Sequence, residues 1–314
     1  MPHLRSVLAA LLSAGLLTTA AAAPRKAPAA AAPRPSAQDI LAASPASDWR
    51  ALDPEQTLLM DLAGGQVIIE LAPRFAPAHA ANIRALARGG YWDGLFVVRV
   101  QDNFVTQWGD PDADDPAKAR PLPAGASARL PAEFSVPIDQ IGRAAGFTRL
   151  PDVDGWAPRT GFAEGFAVAA DPKSGRAWLA HCYGTVGAGR SDAVDSSNGA
   201  ELYVVIGQAP RGLDLNITVV GRVIKGMELL SALPRGTAAM GFYDKPEQRT
   251  GIERIRLMAE VPAAERPALQ VLRTESATWT RLLDARRYRG GWFVHSAGHI
   301  DVCSASVPTR PVPR

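Results

Sequence analysis

Two apolar runs, TLLMDL and QVIIEL, lie between Thr57 and Leu71 and are parted by Ala63-Gly64-Gly65. Runs of this length around a glycine-rich turn predict a β-hairpin. From Pro77 the pattern becomes helical. Ile83, Leu86 and Ala87 fall at i, i+3 and i+4, proline suits a first helical turn, and Gly89-Gly90 ends the run. Strand-like runs return at ELYVVIG, ITVVGRVI and GIERIRLMAEV, and GMELLSAL after the second of these reads as another helix. Strands dominate, with one helix near each end of the folded unit.

Within this pattern the stretch Phe96 to Asp110, FVVRVQDNFVTQWGD, sets one arginine among apolar neighbours. Burying an unpaired guanidinium costs several kcal/mol, so Arg99 must be paired or must face a pocket. Phe104, Gln107 and Asp110 follow it. Strict strand alternation puts Phe104 and Gln107 on opposite faces, so a bulge is expected between them.

The start of the chain has a different character. Met1 to Arg5 is basic, Val7 to Thr19 is an apolar run, and Ala20 to Ala23 supply small residues. The run is too short to span a bilayer and reads as a cleaved signal peptide over residues 1–23, which predicts a periplasmic protein with no remaining membrane span. Residues 24–47 are rich in Ala, Pro and Ser and are expected to form an extended linker. The net charge of +3 and the pI near 9.0 come from scattered arginines, so nucleic acid is not an expected partner. There are only two cysteines, Cys182 and Cys303. In an oxidising compartment they are a candidate disulfide, with two buried thiols as the alternative.

The segments FAPAHAANIRALARGGYWDGLFVVRVQDNFVTQWGD, NGAELYVVIG and LDLNITVVGRVIKGMELL together resemble the cyclophilins, the prolyl cis/trans isomerases. GTVGAGR resembles the loop lining that family's proline pocket. The resemblance implies a mainly β fold over residues 48–260: a closed antiparallel β-barrel of about eight strands capped by two helices. It also implies a site. Arg99 would be the catalytic guanidinium and Gln107 the substrate-orienting amide. Phe104, Val105, Tyr203 and Leu213 would line the proline pocket, and the backbone at Gly189 and Arg190 would hold the peptide. Glu201 stands where the family has a glutamine that binds the substrate backbone, so a direct pair with Arg99 or Arg190 is open to it. No cofactor or metal is implied. The expected partners are proline-containing unfolded or nascent exported polypeptides, bound by a monomer.

The chain departs from the family's pattern at Gly212, where many members have a tryptophan, and at Ile217, where they have a histidine. Arg190 and Trp108 also replace an asparagine and a glycine. Residues 111–183 form an insertion with Pro121, Pro123, Pro131, Pro137, Pro151 and Pro158, expected as long ordered loops laid over the barrel. Residues 261–314 form a C-terminal extension in which TWTRLLDAR suits a short helix and GGWFVHSAGHIDVC a hairpin. His295 and His299 have a helical metal-binding spacing, but Gly298 and β-like neighbours argue against a helix there. Three functions therefore stay open: a prolyl isomerase aiding the folding of exported proteins, a catalytically weak binding module or chaperone of the cell envelope, and an envelope scaffold acting through insertion and tail.

Overall fold

The computed structural model describes residues 34–141 and 146–313. The expected signal peptide and the linker up to residue 33 lie outside the described residues. Helix α1 (Ala37–Ala42) precedes strand β1 (Trp49–Ala51), the hairpin β2 (Thr57–Leu62) and β3 (Gly65–Leu71), and helix α2 (Pro77–Arg88). Strands β4 (Phe96–Val100) and β5 (Val105–Gly109) come next. They are followed by β6 (Val136–Pro137), β7 (Thr148–Arg149), β8 (Arg159–Ala163), β9 (Phe166–Asp171) and β10 (Arg176–Leu179). Strands β11 (Thr185–Ala188), β12 (Leu202–Val205) and β13 (Val219–Lys225) lead to helix α3 (Met227–Ser231) and β14 (Thr250–Leu257). The chain ends with β15 (Leu269–Leu272), helix α4 (Ala277–Arg287) and β16 (Thr309–Pro311).

Eight of these strands close into a barrel in the order β11-β12-β5-β4-β14-β2-β3-β13. Every neighbouring pair is antiparallel. The interior is apolar, with Met60, Ile69, Val97, Trp108, Val204 and Ile255 in one buried cluster. Ile83 and Leu86 of α2 and Leu230 of α3 join the same cluster, so both helices pack on the barrel core. Strands β2 and β3 are apolar on both faces for a physical reason. Leu59 and Ile68 point outward and are covered by Val271 of β15 and by Met258 and Val261.

Three expectations are corrected outside the barrel. The linker does not run extended to residue 47. Ser36 caps α1 in a capping box with Asp39, and Ile40 buries against Trp49, Leu272, Trp279 and Leu283. That tertiary burial orders a segment whose composition alone is poor in large apolar residues. The insertion is not loops alone: β6 to β10 form a five-stranded sheet in the order β6-β10-β9-β8-β7. The C-terminal extension carries its expected short helix, α4 over TWTRLLDAR, and adds β15 and β16 to a sheet with β1. The segment expected as a hairpin is instead a series of turns ending in a 3-10 helix at Val302–Ser304, with Gly291 and Gly298 at φ 65° and 64°.

Cys182 and Cys303 form a disulfide that bonds the chain just before β11 to the C-terminal extension. Glu70 on β3 makes a second junction. It accepts from Arg50 beside it at 2.6 Å and from Arg222 of β13 at 3.0 Å, while Arg50 also donates to the Glu164 carbonyl at 2.8 Å. Burial alone would raise the Glu70 carboxyl, but the two guanidinium charges outweigh it and hold it below the usual carboxylate range. Among the described residues no helix is long and apolar enough to cross a membrane.

Candidate active site

The site lies on the outer face of the barrel, where β4, β5 and β12 run side by side. On β5, Trp108 points into the core while Val105 and Gln107 point out. On β12, Leu202 and Val204 point in while Tyr203 and Val205 join Val105, Phe104 and Ile217 in a separate apolar cluster. Arg99 reaches this face because β4 is irregular. Val97 pairs with Trp108 and Arg99 with Gln107, so Val98 is the extra residue. The expected bulge is therefore on β4, rather than between Phe104 and Gln107. Phe104 escapes strand alternation by preceding β5, in a turn where Asn103 takes φ 51°.

A cleft of about 130 Å³ opens here, lined by Arg99, Phe104, Val105, Gln107, Gly189, Arg190, Glu201, Tyr203, Leu213 and Ile217. All nine residues assigned from the sequence thus meet at one cleft, and Ile217 completes its apolar wall. Gly212 is beside it, and a Cβ there would meet nothing within 4 Å. The mouth next to Leu213 is therefore more open than a tryptophan would leave it. A somewhat larger cavity of about 160 Å³ lies beside the disulfide, between the barrel and the outer layers. Its one cation, Arg222, is already held by Glu70, so it offers no comparable set of converging donors.

Arg99 is held on every side. Its Nε donates to the Met240 carbonyl at 2.6 Å, one Nη donates to the Gln107 side-chain oxygen at 3.0 Å, and the other donates to Gln101. The rings of Phe104 and Phe242 stand 5.5 and 5.4 Å from its central carbon. A guanidinium carries five N–H donors. Three are engaged within the described residues, which leaves two for a bound molecule. Burial lowers the Arg99 pKa from its ordinary value and the Glu201 charge opposes the shift. Arginine stays protonated in either case.

Glu201 does not pair directly with either arginine, which corrects that expectation. Its carboxylate accepts from the Gln107 amide, whose oxygen in turn accepts from Arg99. Burial raises the Glu201 carboxyl, Asp114 raises it further, and Arg99 opposes both. Arg190 turns away from Glu201 as well. It donates to the carbonyls of Asn216 at 2.9 Å and Ser191 at 2.8 Å, and lies over the Phe134 ring. The Gly189 N–H is taken up by the Glu201 carbonyl at 2.8 Å, which continues the β11–β12 ladder.

Residues 57–257 match the family model described as cyclophilin type peptidyl-prolyl cis-trans isomerase/CLD, over well more than half of the chain. The chain belongs to the cyclophilin family. Among curated relatives, a probable peptidyl-prolyl cis-trans isomerase of Brucella suis is 29% identical over 189 residues, covering 60% of this cyclophilin and 76% of that protein. A peptidyl-prolyl cis-trans isomerase-like 1 of Gibberella zeae is 25% identical over 206 residues, covering 65% of this chain and 95% of that one. The crystal structure of cyclophilin AquaCyp293 from Hirschia baltica aligns with a TM-score of 0.68 over 87% of this chain and 96% of its own. At 23% identity that likeness shows the fold alone.

Several residues of this cyclophilin's site were not read from the sequence. Met240 and Phe242 close over Arg99 from the loop before β14, where Phe242 bridges to Arg99 as a short extra strand contact. Gly241 at φ 81° lets that loop pass close to Gln101, where a Cβ would approach within 2.6 Å. The glycines of GTAAMGFYD were the one available signal. Gln101 adjoined the quoted arginine but carried no pattern of its own.

Proposed function

We propose that this cyclophilin binds proline-containing segments of unfolded or nascent exported polypeptides in the Arg99 cleft and speeds rotation about the bond before proline. The observation carrying this reading is a guanidinium fixed between two aromatic rings, with donors still free, at the edge of an apolar cleft. A planar amide twists through a barrier of roughly 18–20 kcal/mol and loses conjugation on the way, so the prolyl nitrogen regains a lone pair. A free Arg99 N–H aimed at that nitrogen binds the twisted state better than either planar state. Val105, Phe104, Tyr203, Leu213 and Ile217 grip the proline ring while the carbonyl side rotates. Gln107 holds Arg99 through its oxygen, and its bond to Glu201 keeps that oxygen turned toward the guanidinium.

The export reading rests on the signal-like character of Met1 to Ala23. The Cys182–Cys303 bond supports it, because such bonds persist in oxidising compartments. Two experiments test the proposal. A protease-coupled assay on a prolyl peptide should show acceleration over the uncatalysed process, which takes tens to hundreds of seconds. Cell fractionation should find the protein outside the cytoplasm. Peptide binding without acceleration would favour the binding-module reading, for which the carboxylate of Glu201 in the cleft is the specific support.

A further inference from the structure

The floor of the cleft continues into a buried polar chain. The Tyr203 ring lines the cleft, and its hydroxyl lies 2.9 Å from His181 Nε2 in the interior. Room for that ring comes from Gly187 directly opposite on β11, where a Cβ would approach the Tyr203 oxygen within 2.2 Å. His181 Nδ1 lies 2.9 Å from Asp214 Oδ1, which also accepts the His181 backbone N–H at 3.0 Å. Asp214 Oδ2 accepts from Trp178 Nε1 at 3.1 Å and from Arg211 Nε at 2.7 Å. Arg211 then makes a two-pronged bond to Asp154, at 3.0 and 3.2 Å. The side chains of His181, Asp214, Arg211 and Asp154 are 0%, 7%, 3% and 5% exposed.

Each group in this chain has a partner, and the roles follow from the partners. An Asp214 flanked by Arg211 is an acceptor, so His181 donates through Nδ1. Its Nε2 is then left to accept a hydrogen bond from the Tyr203 hydroxyl. The chain spans two parts of the molecule. Asp154, Trp178 and His181 belong to the inserted sheet and its loops, whereas Arg211 and Asp214 flank Leu213, which also lines the cleft. Gly212 offers that wall no packing of its own, and Leu215 beyond it takes φ 62°.

We propose that the Tyr203–His181–Asp214–Arg211 chain fixes the floor and the Leu213 wall of the proline cleft from the inserted sheet, which makes His181 and Asp214 positioning residues for substrate affinity. This rests on the cleft being the substrate site, as proposed above. The chain touches the walls of the cleft and not the guanidinium, so it governs how tightly the peptide is held and not how fast the held peptide turns. A network of this kind acts as a unit, so two breaks in it are not additive.

The test separates affinity from turnover by NMR exchange on a prolyl peptide, which yields the peptide Kd and the on-enzyme isomerisation rate. Tyr203→Phe, His181→Gln and the double variant are compared with wild type and with Arg99→Ala. The expected result is a Kd raised about three- to tenfold in each single variant, with the on-enzyme rate of His181→Gln unchanged. The double variant should be no worse than the worse single one. A Kd within twofold of wild type in Tyr203→Phe would overturn the proposal, even if His181→Gln fails to fold. A slowed on-enzyme rate at unchanged Kd would overturn it too, by placing Tyr203 in the chemistry. If the wild type binds no peptide, the reading of the cleft fails and the positioning role falls with it. If Arg99→Ala loses turnover while Tyr203→Phe and His181→Gln match wild type, only the positioning role fails.

Discussion

At Glu201 the cleft carries a carboxylate that burial and Asp114 push above its usual range. The sign of the consequence is fixed by linkage. The folded chain holds this proton more tightly than the unfolded one, so an ionised Glu201 costs stability above its folded pKa. That cost disappears as pH falls below the ordinary value of 4.5 that the unfolded chain would show. Its charge also competes with the prolyl nitrogen for the field of Arg99. Glu201→Gln keeps an acceptor for Gln107 and removes the charge. At neutral pH the variant should melt about 2 °C or more above wild type and show kcat/KM about two- to fivefold higher. Both differences should shrink toward acid pH, where wild-type activity rises to meet a flat variant profile. A tenfold loss at every pH would show instead that the charge itself holds Gln107 and Arg99 in place. The residues at the family's spacing, Arg99, Phe104 and Gln107, were legible because they lie close together in sequence. The chain from Tyr203 through His181 to Asp214 was not, because no sequence pattern singles either residue out and only the fold brings their side chains behind the cleft.

Helix α2 shows how an element can be legible while what holds it is not. Pro77 and Gly89 marked its two ends in the sequence. Its first turn has no side-chain cap from its own residue Ala76. The cap comes instead from Glu133 in the insertion, which accepts from the N–H groups of Ala78 and His79 at 2.9 Å each and from the His79 ring at 2.7 Å. Glu133→Ala strands these donors in a buried place and should cost about 1–3 kcal/mol, read as a lower midpoint in urea. An unchanged midpoint would mean that water replaces the cap at no cost. The inserted sheet was hidden by its prolines. Pro137 sits in the two-residue edge strand β6, and Pro151 and Pro158 lie between β7 and β8, so none interrupts the central strands. The barrel strands carried no such disguise, since their apolar runs are unbroken by proline.

Across the whole molecule, the barrel, the inserted sheet and the C-terminal layer are joined at Glu70, at Phe162 against Trp279, and at the disulfide. The bond closes a loop with a sequence separation of 121, for which chain entropy gives about 4–5 kcal/mol. Cys303→Ser should therefore lower Tm by roughly 10 °C. A Tm within about 2 °C of wild type would mean that packing at this seam suffices without the bond. The C-terminal layer escaped the sequence reading because Leu59 and Ile68 gave no sign of what covers them. All these parts surround a face on which Arg99 is presented to a cleft. The most direct test compares kcat/KM of wild type and Arg99→Ala on a prolyl peptide, with circular dichroism confirming the fold. Loss of one transition-state donor corresponds to roughly 3–4 kcal/mol, so a hundred- to thousandfold fall is expected. Activity within threefold of wild type would contradict the account and remove Arg99 from the mechanism.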